Sequence, residues 1–147
     1  MLKKILVAVD GSEHSLKAVD YAASIATAMN ADLRILFVLR NQSLPKGVLA
    51  YADAEHIIGG NKYILEKMAA DIVTHAKERA LTHGIKNIST EVKTGPVARS
   101  IVANAKENNV DMIVIGTRGM GNIEATLRGG VSHRVELLAK CPVLSVR

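Results

Sequence analysis

Five short apolar runs, alternating with stretches of helical spacing, set the limits on how this chain can fold. Residues 3–9, 33–39, 88–92, 110–115 and 143–146 read as strands. Their side chains are too uniformly apolar to leave one sheet face in water, as an open antiparallel sheet would. The order β-α-β-α-β-α-β-α-β therefore predicts an α/β fold: a five-stranded parallel sheet with helices on both faces. At 147 residues the chain suits one domain, residues 1–147. Ligands of such sheets sit at the carboxyl ends of the strands, where the winding reverses.

The helices carry their own start and stop signals. Ser12 offers an N-cap, and Glu13 in the first turn favours the helix dipole. Leu16, Val19, Ala22, Ala23, Ala26 and Met29 follow at helical spacing, and the helix should stop near Asn30. A second helix is predicted over residues 55–82, with Ile57, Ile64, Leu65, Met68, Ile72, Val73 and Ala76 inward. Gly59-Gly60 weakens its first turns, and His83-Gly84 ends it. Gly95-Pro96 opens a third helix, with proline suited to the first helical position. Its core face is Val97, Ile101, Val102 and Ala105, and Asn108-Asn109 stop it. A short last helix begins at Val131 and runs to about Ala139. Residues 40–53, with Asn41, Gln42, Ser43, Pro45 and Gly47, read as a long mobile loop of the kind that serves function more than packing.

The most chemical feature lies between the fourth strand and the last helix. The run from Gly116 to Ser132 holds Gly116, Gly119, Gly121, Gly129 and Gly130. A glycine-rich loop at this place is built for phosphate: the backbone approaches an anion closely, and the helix start presents free N–H groups and partial positive charge. Arg118 and Arg128 lie in the same loop and suit an anion, whereas Glu124 opposes one unless it points away. The spacing is neither a P-loop nor the Gly-x-Gly-x-x-Gly dinucleotide fingerprint.

Charge points the same way. Residues 116–147 carry five basic against two acidic side chains, so the basic excess gathers around the glycine loop. Aromatic residues are only 3%, which argues against a platform that stacks nucleic-acid bases. No apolar run reaches the roughly 18 residues of a membrane span, and Ile5 to Val9 is too short for a signal peptide. The lone Cys141 excludes an internal disulfide and fits a reducing cytoplasm, where it reads as inert packing. The five histidines show no metal spacing; His133 alone lies close to the loop.

These residues resemble the universal stress protein family across nearly the whole chain. Ile5-Leu-Val-Ala-Val-Asp-Gly-Ser-Glu13 is similar to the family's first strand and turn, and Cys141-Pro-Val-Leu-Ser145 to its last strand. The family's ATP-binding subgroup carries glycine, two residues, glycine, nine residues, glycine, then serine or threonine. Gly116, Gly119 and Gly129 meet that spacing, but Gly130 stands where the subgroup has a hydroxyl. Ser132, two residues on, is a possible substitute.

The resemblance implies a Rossmann-like domain of the adenine nucleotide alpha hydrolase kind, binding ATP with Mg²⁺ as a regulatory ligand. It favours Asp10 as a partner of a ribose hydroxyl or the Mg²⁺ ion, with an Asx turn before the helix as the structural alternative. The Val38 backbone would contact adenine, with Ala8, Val9 and Ile115 completing an aliphatic slot. Gly116, Arg118, Gly119, Gly129, Gly130, Val131 and Ser132 would surround the phosphates. It also implies a homodimer formed through Val143–Val146. The alternatives are a nucleotide-free dimeric interaction module, with Gly130 marking a lost site, and a slow ATPase. No acidic residue is obviously placed to activate water, so efficient hydrolysis is not expected.

Overall fold

The computed structural model describes residues 1–40, 60–117 and 130–147. In chain order they form β1 (Lys4–Val9), α1 (Glu13–Met29), β2 (Asp32–Leu39), α2 (Gly60–Leu81), β3 (Ile88–Thr94), α3 (Val97–Glu107), β4 (Met112–Gly116), α4 (Gly130–Leu138) and β5 (Val143–Val146). The strands make one parallel sheet in the order β3-β2-β1-β4-β5. The expected parallel sheet with helices on both faces is thus present. The expected loop from residue 41 onward, and Ile57 in the expected helix, lie outside the described residues.

β1 is central because both its neighbours bury it. Val7 is paired with Ile35 on one side and Val114 on the other, and all three are wholly buried. The pleat then sorts side chains by parity. Ile5, Val7, Val9, Leu33, Ile35 and Phe37 face α1 and α2. Leu6, Ala8, Leu36, Val38, Ile113 and Ile115 face α3 and α4. Each large apolar side chain fully removed from water contributes about 1.5–3 kcal/mol, so these two layers hold the sheet in its register.

The helix ends follow the sequence. The Ser12 side chain accepts from the Ser15 N–H, and Asn30 closes α1 in the left-handed conformation. α2 begins at Gly60, inside the predicted span, as the Gly59-Gly60 pair suggested. Its core side is made by Ala69, Val73, Ala76 and Ala80. Met68, predicted inward, is instead 39% exposed, because Ala69 occupies the position nearest the sheet. In α3, Pro96 stands as the N-cap rather than as the first helical residue.

β3 runs two residues beyond its predicted end, to Thr94. Lys93 and Thr94 hide this in the sequence, since an edge strand need not be apolar. The Gly95 N–H then closes the ladder on the Leu39 carbonyl at 2.9 Å. Among the described residues, no helix is long and apolar enough to cross a membrane.

Polar ties lock the layers from outside the core. Arg79 on α2 donates to both oxygens of Asp20 on α1, at 2.8 and 2.7 Å, and His83 Nε2 meets Asp20 Oδ1 at 2.8 Å. On the other face, Asn104 of α3 is only 2% exposed. Its Oδ1 accepts from Arg34 Nε at 2.8 Å, and its Nδ2 donates to Glu91 Oε2 at 3.0 Å. Arg34 also pairs with Glu91, so the cation that interrupts β2 is matched across the sheet face.

Candidate functional site

The chain leaves β1 for β2 and β3 on one side, then crosses over through α3 to β4 and β5 on the other. The carboxyl ends of β1 and β4 therefore mark the winding reversal, where a ligand is expected. Asp10 follows β1 there, Gly116 ends β4, and Gly130 opens α4 on the same edge.

Asp10 is held in a local turn. Its Oδ1 accepts from the Ser12 N–H at 2.9 Å and from Ser12 Oγ at 2.5 Å. Gly11 between them has φ +88, a left-handed value that glycine adopts without strain. Ser12 Oγ in turn accepts from the Ser15 N–H at 3.2 Å, so one carboxylate organises the start of α1. Among the described residues, the hydrogen bonds to this carboxylate fall on Oδ1 alone.

The four residues read as an adenine slot separate into two groups. Ala8 and Ile115 are register partners across β1 and β4. With Val38 they sit buried beneath α3 and α4. Val9 lies on the opposite face, in the layer packed by α1 and α2. Alternation along β1 thus removes the Val9 side chain from the company of the other three.

At the end where the sequence places phosphate, Gly116 is half-buried, and the following Thr117 N–H donates to the Val146 carbonyl at 2.8 Å. Gly130 is exposed at the first position of α4, and a Cβ on it would meet nothing within 4 Å among the described residues. Val131 is half-buried, whereas Ser132 is only 3% exposed. Arg118, Gly119, Glu124, Arg128 and Gly129 lie outside the described residues. Among the described residues, no three His, Cys, Asp or Glu side chains gather as a metal site.

The chain matches the model of the universal stress protein family over residues 1–147. It belongs to that family. It is 38% identical over 150 residues to the universal stress protein YxiE of Bacillus subtilis, covering 100% of both chains. Its fold is similar to that of a universal stress protein in complex with cAMP, with TM-score 0.70, 29% identity, and coverage of 99% of this chain and 96% of that one. It is also similar to the universal stress protein UspA from Lactobacillus plantarum, with TM-score 0.79, 25% identity, and coverage of 99% and 98%. Within the universal stress protein frame, grooves on both faces of the sheet are lined by described residues. One, of about 610 Å³, lies between α1 and α2 and is lined by Leu16, Met68, Ile72 and His75 among others; its Lys67 pairs with Asp71 at 3.6 Å. The other, of about 710 Å³, lies between α3 and α4 and borders Val131. Sequence reading did not bring together its three arginines, Arg40, Arg99 and Arg134, because they come from just beyond the end of β2, from α3 and from α4, far apart in the chain.

Proposed function

We propose that this universal stress protein binds ATP, with Mg²⁺, as a regulatory ligand in a stress response. Asp10 and the Val38 backbone hold the nucleoside. Residues 116–119 and 129–131 hold the phosphates through backbone N–H groups, and Arg118 adds charge. Mg²⁺ is held chiefly by phosphate oxygens and water, with Asp10 as the protein's carboxylate. The observation that carries the proposal is the convergence of Asp10, Gly116 and the open start of α4 on one edge of the sheet. A related universal stress protein in complex with cAMP supports an adenine nucleotide as the class of ligand. The Asp10 turn is compatible with this role, since among the described residues it engages Oδ1 alone, which suits Oδ2 to a ribose hydroxyl or a cation.

The ligand acts as a switch more than as a substrate, with slow hydrolysis at most, and the protein works in the cytoplasm. It pairs as a homodimer through β5. That strand ends the sheet and its residues, Val143–Val146, include no charge. The opposite edge, β3, carries Glu91 and Lys93, which discourage strand addition. Light scattering on the purified protein tests the dimer, and a monomer removes it.

Calorimetric titration of Mg-ATP into nucleotide-stripped protein, repeated with Asp10→Ala, tests the binding claim. Titration with AMP and cAMP beside it separates ATP from other adenine nucleotides. Gly130 favours one second reading, an interaction module that has lost its nucleotide. Protein that carries no nucleotide after purification, and shows no thermal shift with Mg-ATP, selects that module.

A further inference from the structure

The groove between α3 and α4 combines two features that seldom stay together on an idle surface. Its apolar part includes Val97, Leu137 and Leu138, and the two leucines are 71% and 44% exposed. Its charged part is Arg40 beyond β2, Arg99 on α3 and Arg134 on α4, and among the described residues no carboxylate lines it. Among the described residues, none of these arginines has a salt-bridge partner, whereas Arg34 and Arg79 are both paired. We infer that this groove docks an acidic amphipathic helix of a partner protein, its apolar face on Leu137, Leu138 and Val97 and its carboxylates on Arg40, Arg99 and Arg134.

The occupant follows from shape and charge. Residues 131, 134 and 138 recur at helical spacing along α4, so the docking face spans about two helical turns, or roughly 10 Å. A concave, two-turn face between helices suits a helix laid into it, which is a recurrent recognition mode. A lipid surface requires a convex or flat patch, and single-stranded nucleic acid requires aromatic platforms. Among the described residues, no aromatic side chain lines this groove. Three guanidinium groups with no ion-pair partner among the described residues favour carboxylates by charge complementarity, steering the partner and fixing its register. α4 is also the helix whose first residues are proposed to meet phosphate, so one rigid element carries both surfaces.

Two synthetic peptides of equal composition test this by fluorescence anisotropy. In one, leucines form a single helical face flanked by glutamates; in the other, the same residues are scrambled. The wild-type protein is expected to bind the first saturably, with affinity falling as salt rises, and the scrambled peptide at least about tenfold more weakly. Arg99→Glu with Arg134→Glu, both at exposed positions, should weaken binding about tenfold or more, and a lysine-for-glutamate peptide should bind this variant better than the wild type. Circular dichroism confirms that the variant is folded. No saturable binding, equal binding of both peptides, or binding that survives the double charge reversal overturns the inference. So does tighter binding to anionic lipid vesicles than to the amphipathic peptide. A dimer that becomes monomeric on Leu137→Lys assigns the groove to a second copy of the chain and also overturns it.

Discussion

Ser12 binds Asp10 twice, through its backbone N–H at 2.9 Å and its hydroxyl at 2.5 Å, and both bonds end on the same carboxylate oxygen. The turn and the proposed ligand therefore make different demands on one side chain. Asp10→Asn keeps an accepting oxygen for Ser12 and removes the charge. It should leave stability within about 0.5 kcal/mol of wild type while weakening Mg-ATP binding. Asp10→Ala removes both and should cost about 1 kcal/mol of stability as well. Urea unfolding and calorimetry on the two variants separate turn from site.

Gly130 gives a gain-of-function prediction. Because a Cβ there meets nothing within 4 Å among the described residues, serine is expected to fit without rearrangement of them. Gly130→Ser restores a hydroxyl at the open end of α4 and should tighten Mg-ATP binding about tenfold or more, the worth of one hydrogen bond to a charged group. The thermal midpoint without nucleotide should rise slightly or stay level, since serine is the better helix residue. Unchanged affinity would place the phosphates away from this helix start.

Much of this architecture is legible in the residues, but unevenly. The strands show because β1, β2 and β4 are apolar on both faces, and the turns show because Asn30, Gly84 and Gly95 adopt positive φ. β3 is legible only in part, since an edge strand can end in Lys93 and Thr94. The sorting of Val9 from Ala8 is implicit in the alternation of a strand, yet it matters only once each face has a helix layer to meet. Arg34 reads as an interruption because its partners, Glu91 and Asn104, are 57 and 70 residues away. His83 reads as a helix end for the same reason: Asp20 lies 63 residues from it. Non-local pairs of single polar residues leave no periodic trace. The arginines of the α3–α4 groove are hidden likewise, each ordinary on its own element.

The Arg34–Glu91–Asn104 cluster should resist substitution. Asn104→Ala leaves two charged groups without their shared buried partner and is expected to cost about 1–3 kcal/mol. Nucleotide affinity should be unchanged, since the cluster lies toward the β3 side of the sheet. Chemical denaturation measures the first effect and calorimetry the second.

Acid stability should depend on Asp20. Hydrogen bonding from Arg79, with a further contribution from His83, holds its carboxyl below the ordinary value of 3.8 despite some desolvation. A lowered folded-state pKa means stability that is fully present above the ordinary carboxylate value and is lost as pH falls through the depressed one. Asp20→Asn should therefore be less stable than wild type at neutral pH, with the difference shrinking only below about pH 4. A gap that stays constant through that range would show that the Asp20 charge contributes nothing to the α1–α2 contact.

Calorimetric titration of Mg-ATP into protein stripped of nucleotide by denaturing extraction and refolding tests the central claim most directly. Saturable binding of one nucleotide per chain, weakened by Asp10→Ala and strengthened by Gly130→Ser, is the predicted result. No binding heat, together with no nucleotide in the original extract and no thermal shift, would contradict it and leave a universal stress protein that works without a nucleotide.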